Sequence, residues 1–153
     1  DKCKAQLERI LVPVDFSPYS VRALQAAAAL AEQHSGAREI ILLHLYDLPN
    51  IMAFMINKTE DDLKAIIEAD RKAALEDFLQ NFAPQVADRC RLVVERHEEG
   101  SLAEQIMEKV AAIEADLIVM GAKGHSKVEL LLMGSVTESL LRLNDSRPIW
   151  VIK

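Results

Sequence analysis

Five short apolar runs separated by helix-forming stretches constrain this chain more than any other feature. They lie at residues 9–15 (RILVPVD), 39–46 (EIILLHLY), 90–97 (CRLVVERH), 116–120 (DLIVM) and 149–152 (IWVI). Runs of this length without polar alternation read as strands buried on both faces, the kind that fill parallel sheets. Parallel neighbours must be joined by long crossovers, usually helices, and the intervening stretches supply them. The alternation predicts a three-layer, doubly wound (Rossmann-like) α/β fold, with a mainly parallel sheet, helices on both faces and right-handed crossovers. The run at 90–97 is more polar than the rest and is expected nearer a sheet edge. Pro13 sits awkwardly in the first run, because proline has no ladder donor. Either the strand is irregular there or Pro13 lies where the chain leaves the sheet.

The helices carry their own start signals. Ser17-Pro18 is an N-cap followed by proline at the first helical position. It opens an Ala- and Leu-rich helix that runs to about His34-Ser35, with Gly36 placed to end it. Thr59, with Asp62 three residues on, resembles a capping box. Its helix carries Leu63, Ile66, Ile67, Ala74, Phe78 and Phe82 at helical spacing and stops near Pro84. Ser101 and Glu104 form a full capping box for a helix to about Ile113, and another helix begins near Gly134-Ser135. Residues 47–50 read as a turn. Residues 51–56, with Met52 and Met55, read either as a buried turn of helix or as a cover for a pocket or partner. No linker, low-complexity tract or repeat divides the chain, so residues 1–153 are expected to form a single domain.

Composition narrows the function classes. With 50% hydrophobic and 27% charged residues, the chain buries a core without disulfide staples. No apolar run approaches the roughly 18–20 residues of a membrane span. No basic-then-apolar leader opens the sequence, which starts at Asp1 rather than Met and is expected to be a trimmed chain or a domain of something longer. A net charge of −6 argues against general binding to nucleic acid or insertion at an anionic membrane. Glu60, Asp61, Asp62 and Glu68 read as a solvated helix face rather than a metal site. Cys3 and Cys90 show no metal-ligand spacing and fit a reducing, cytoplasmic compartment.

In doubly wound sheets, ligands bind outside the carboxyl ends of the strands, where the strand order reverses. Asp15 ends the first run. After the fourth come Met120-Gly121-Ala122-Lys123-Gly124 and, further on, Gly134-Ser135-Val136-Thr137. Three of the chain's 5 glycines fall in this segment, separated by two residues and then nine. Glycine allows positive φ and close backbone approach, so a loop of small residues can wrap a phosphate chain. The helix opening at Gly134 adds free N–H groups and a dipole, with Ser135 and Thr137 as hydroxyl donors. Together they read as a phosphate cradle in two parts. No GxxxxGK[ST] is present, so it is not a Walker loop; no GxGxxG follows the first strand, so it is not a dinucleotide site. On the blander alternative, Gly121 ends a strand and Ser135 caps a helix.

The segment resembles the universal stress protein family, whose signature of glycine, two residues, glycine, nine residues, glycine and Ser or Thr is met by Gly121, Gly124, Gly134 and Ser135. The resemblance covers essentially the whole chain, including the opening ILVPVD, LLHL on the second strand and the closing PIWVI. It implies a five-stranded parallel sheet in the order 3-2-1-4-5, a homodimer, and membership of the subgroup that keeps the glycine pattern and binds ATP. Carried across, Asp15 would meet the nucleoside through ribose hydroxyls or the adenine edge. Pro13, Leu45 and Met120 would line the adenine pocket. Gly121, Gly124, Gly134, Ser135 and Val136 would hold ribose and phosphates, largely by backbone N–H groups. An acceptor carboxylate suits hydroxyl donors and repels phosphates, which places Asp15 at the nucleoside end.

Lys123 and Lys127 flank the cradle as candidates for phosphate contacts, and His125 and Ser126 sit within it. His125 lacks an evident carboxylate partner. His34 and His97 have bland readings at a helix end and on a polar strand, and His44 reads as a hydrogen-bonded core residue. Mg2+ would enter by bridging phosphates. The apolar last strand, Ile149–Ile152, is expected to pair with its own copy across a two-fold axis. No general base, arginine finger or metal triad is legible, so the expectation is binding of ATP, AMP or ADP as a stress or signalling state sensor rather than fast turnover. The rival readings are a slow ATPase or self-phosphorylating protein using a hydroxyl such as Ser135, and an adaptor or regulatory domain of a larger protein with an idle pocket.

Overall fold

The computed structural model describes residues 7–34, 39–48, 59–124, 133–144 and 147–153. Strands β1 (Arg9–Pro13), β2 (Glu39–Tyr46), β3 (Cys90–Arg96), β4 (Leu117–Gly121) and β5 (Ile149–Ile152) form one sheet in the order β3-β2-β1-β4-β5. Every pairing is parallel. Helices α1 (Pro18–Gln33), α2 (Glu60–Phe82), α3 (Leu102–Ile113) and α4 (Ser135–Leu143) cover the two faces, and a short 3-10 turn, Pro84–Arg89, leads into β3. The fold is the expected three-layer α/β sandwich, and the more polar third strand lies at an edge.

Alternation along the strands sorts the core into two halves. Ile10, Val12, Ile40, Leu42 and Val119 face α1 and α2, packing on Ala23, Leu24, Ala27, Leu75 and Phe78. Leu11, Ile41, Leu43, Ile118 and Met120 face α3 and α4, packing on Ile106, Val110 and Leu140. Burying each such side chain contributes about 1.5–3 kcal/mol, and burial on both faces explains why the runs show no polar alternation.

The helix starts follow their caps. Ser17 Oγ accepts from Ser20 N, and Thr59 with Asp62 forms the reciprocal capping box. Ser101 Oγ accepts from Glu104 N, which is only half of the expected box at α3. Two members of the predicted α2 face are turned to solvent: Ile66 and Phe82 are exposed, while Phe78 of that face is buried together with Leu75 and Leu79. The acids of α2 do more than meet water. Glu60 pairs with Arg96, and Glu68 accepts a hydrogen bond from Tyr46 Oη at 2.8 Å.

Pro13 is the last residue of β1 and pairs with Leu43, so the chain leaves the sheet there. Val14 N–H reaches across to Leu43 O at 2.8 Å. Successive residues of a strand point their polar groups to opposite sides, so the donor that Pro13 lacks would face β4. The β1–β4 ladder has already ended, at Leu11 with Ile118, and nothing is lost. Asp116 ties down the other end of this seam, its Oδ2 accepting from Glu8 N and Arg9 N at 3.0 and 2.9 Å. No helix among the described residues is long and apolar enough to cross a membrane. Cys3, Gly36 and residues 51–56, with Met52 and Met55, lie outside the described residues.

Candidate functional site

Beyond Leu11 and Ile118, β1 and β4 part, and the strand order reverses between them: β1 leads to β2 on one side, β4 to β5 on the other. A cleft of about 250 Å³ opens at this point. Its border includes every described residue singled out by the sequence for nucleotide contact: Pro13, Asp15, Leu45, Met120, Gly121, Lys123, Gly124, Gly134, Ser135 and Val136. Val14, Ser20, Leu43, Leu102, Ile106 and Thr137 complete it. The wall of Leu43, Leu45, Leu102, Ile106, Met120 and Val136 is apolar, and the polar groups come from Asp15 and from the start of α4, with Gly124 between them.

Asp15 is held in a tight turn. Its Oδ1 accepts from Ser17 N at 3.0 Å and from Ser20 Oγ at 2.6 Å, and its own N–H donates to Ser20 Oγ at 3.0 Å. The turn depends on Phe16, which has φ 64°, the left-handed region a bulky side chain seldom occupies. Such a conformation costs on the order of 1–3 kcal/mol and persists only where packing over-determines it. Here the Phe16 ring lies 4.7 Å from that of His44 and edge-on to Phe78 at 5.7 Å. His44 Nδ1–H donates to Val14 O at 2.8 Å, and burial pushes its pKa down, so the neutral ring braces the turn from behind.

The glycines are required by close approach and not by their own dihedrals, since Gly100 is the only described glycine with positive φ. A Cβ on Gly121 would stand 2.5 Å from Tyr19 Cβ and 3.0 Å from its carbonyl carbon, so this glycine lets α1 pack against the end of β4. A Cβ on Gly124 would overlap Oδ2 of Asp15. One on Gly134 would sit 3.2 Å from Lys123 Cα. The two halves of the glycine segment thus touch each other and the carboxylate. Gly134 N–H donates to Ala122 O at 2.6 Å and Thr137 Oγ1 donates to Gly121 O at 2.9 Å, pinning α4 to the end of β4.

That last bond corrects one expectation. Thr137 is 3% exposed and its hydroxyl hydrogen is committed to Gly121 O, so it does not serve as an anion donor. Ser135 stands exposed at the first position of α4, and Gly134, not Ser135, is the N-cap. Gly134 brings no side-chain acceptor, whereas Ser17, Thr59 and Ser101 fill that place on the other helices. The first-turn N–H groups of α4 therefore have no side-chain cap, and Gly134, Ser135 and Val136, at the positive end of the helix dipole, border the cleft.

Elsewhere, His97 follows β3 with Nδ1 3.0 Å from Asp47 Oδ1 and Nε2 3.0 Å from Gly100 O. The Asp47 carboxylate pushes its pKa up, against a smaller effect of burial. His34 is the C-cap residue of α1. No group of three or more His, Cys, Asp or Glu among the described residues could hold a metal ion. His125, Ser126 and Lys127 lie outside the described residues.

The chain matches the model of the Universal stress protein family over residues 6–153. It is similar to universal stress protein MJ0577 of Methanocaldococcus jannaschii, at 27% identity over 95% of this chain and 94% of that protein. A solved structure of MJ0577 superposes with a TM-score of 0.76 at 26% identity, covering 97% of this chain and 96% of that one. Two further structures share the fold: a universal stress protein in complex with cAMP, with a TM-score of 0.64 at 20% identity over 97% and 98% of the chains, and one from Archaeoglobus fulgidus in complex with dAMP, with a TM-score of 0.53 at 22% identity over 97% and 99%.

Proposed function

The chain belongs to the universal stress protein family, and from that premise we propose that it binds an adenine nucleotide, ATP foremost with AMP or ADP in the same pocket, as a stress-related regulator rather than a fast enzyme. The observation that carries this reading is the meeting, in one cleft, of a positioned carboxylate from the turn after β1, an apolar wall and the uncapped start of α4. Each end suits a different part of such a ligand. Asp15 accepts from ribose hydroxyls or the adenine edge, the apolar wall takes the base, and the glycine segment with the α4 N–H groups takes the phosphates. Family neighbours in complex with cAMP and dAMP support an adenine nucleotide as the ligand class. Mg2+ would be carried in on the phosphates, since the described residues offer it no ligand cluster.

Native mass spectrometry of freshly purified protein tests this directly: an adenine nucleotide mass is expected to co-purify or to add on titration with ATP. Asp15→Ala is expected to weaken ATP at least tenfold by calorimetry, about the loss of one hydrogen bond to a charged group. Unchanged affinity would sink the assignment. Binding without turnover is read from incubation with Mg-ATP, where neither ADP nor a phosphate gain at Ser135 is expected; either product favours the slow-enzyme reading. On the same reading the chain works in the cytoplasm and dimerises through β5. That strand is a sheet edge and carries Trp150 43% exposed, an apolar edge suited to pairing with its own copy.

A further inference from the structure

We infer that Ser20 is a positioning residue for Asp15 and through it sets recognition at the nucleoside end of the cleft, an inference that rests on the adenine-nucleotide reading. Ser20 lies in the first turn of α1, 5% exposed, and borders the cleft, yet it has nothing left to offer a ligand. Its single hydroxyl hydrogen is donated to Asp15 Oδ1 at 2.6 Å, and its oxygen accepts from Asp15 N at 3.0 Å. Ser17 Oγ approaches the same oxygen at 3.5 Å and accepts from Ser20 N at 3.2 Å. The carboxylate is thus tied at backbone and side chain to a packed helix rather than to a loop. With Oδ1 occupied by Ser20 Oγ and Ser17 N, rotation about the side chain is stopped with Oδ2 on the Gly124 side of the cleft. Ser20 therefore decides which lone pairs of Asp15 a ligand's hydroxyl or amino donors can meet, while its own hydrogen bonds run to Asp15 and Ser17 and not to α4.

The test compares ATP with inorganic tripolyphosphate by calorimetry on the wild type, Ser20→Ala, Ser20→Thr, Asp15→Ala and the Ser20→Ala/Asp15→Ala double variant. Ser20→Ala is expected to weaken ATP about tenfold, as for a lost hydrogen bond to a charged group, and to leave tripolyphosphate unchanged. Ser20→Thr, which keeps the hydroxyl, is expected to keep the affinity. In the Asp15→Ala background the Ser20 substitution is expected to cost nothing more, the signature of a residue acting only through its partner. An equal loss on tripolyphosphate, or a further loss in the double variant, would overturn the inference. If the wild type takes up no ATP, the adenine-nucleotide reading falls by itself. Side-chain couplings of Asp15 by NMR then still decide the role of Ser20: a single rotamer in the wild type and averaging in Ser20→Ala support it, and the same single rotamer in both refutes it.

Discussion

Gly124→Ala isolates the contact between the glycine segment and the carboxylate. The added Cβ would overlap Asp15 Oδ2, with Asp15 Cγ next at 3.6 Å. An exposed carboxylate would swing aside at little cost, but this one gives up hydrogen bonds from Ser17 N and Ser20 Oγ if it turns. Each is a bond to a charged group, worth about 1.5–3 kcal/mol. The alternative is for residue 124 to retreat. That displaces Lys123, whose Cα already lies 3.2 Å from where a Cβ on Gly134 would be, and strains the 2.6 Å bond from Gly134 N to Ala122 O. The cheapest compromise falls in the overpacking range of about 1–3 kcal/mol. Either way the carboxylate and the phosphate-facing loop no longer hold their relative positions, so ATP affinity is expected to fall about 10- to 100-fold, the equivalent of about 1.4–2.8 kcal/mol. Calorimetry gives the affinity and a thermal melt the stability cost. Asp15→Ala makes room for the methyl group, so Gly124→Ala in that background is expected to be no worse than Asp15→Ala alone. Wild-type affinity in Gly124→Ala, or full additivity of the two substitutions, would refute the reasoning.

Gly121→Ala separates a packing glycine from a site glycine: its methyl group meets Tyr19 and forces α1 away from β4, so the melting temperature is expected to drop by several degrees, as about 1–3 kcal/mol of overpacking does in a domain of this size. An unchanged melt would show that α1 yields freely. The two structural histidines titrate with opposite sign. His97, raised by Asp47, contributes stability that is complete below the ordinary histidine value and is lost as pH rises through its elevated pKa; His44, lowered by burial, contributes stability that is complete above that value and is lost as pH falls. His97→Gln is therefore expected to flatten the alkaline limb of the stability profile while leaving the acid limb, and the effect is small because Asp47 is largely exposed and screened; an unaltered alkaline limb would exclude a charged His97. Trp150→Glu is expected to leave the fold intact and convert a dimer to monomer by light scattering, and a wild type that is monomeric at micromolar concentration would remove the β5 dimer altogether.

The layers and the order of elements were legible because periodicity and caps report burial and chain reversal directly. RILVP, EIILLHLY and LIVMG are apolar on both faces because they are covered on both faces. The glycine segment was legible because glycine marks places where backbone must come close. What stayed hidden was the reason for each glycine, since Tyr19, Asp15 and Lys123 are brought to them only by the fold. Phe16 gave no signal: an aromatic residue does not advertise a left-handed turn, and its stabilising partners His44 and Phe78 are far away in sequence. Ser20, Leu43, Leu102 and Ile106 were missed because each reads as an ordinary helix or strand position. Ile66 and Phe82 were misplaced because helical spacing fixes a stripe on α2 but not which part of it finds the sheet.

Until Leu117 and the rest of β4 have been synthesised, the half-sheet of β3, β2 and β1 has an unfinished edge at β1. An apolar strand with unanswered backbone donors invites pairing with another nascent chain. Pro13 faces that open side at the end of β1 and offers no N–H there. The residue that borders the cleft in the finished protein thus also leaves one backbone donor fewer on the β1 edge while that edge is uncovered.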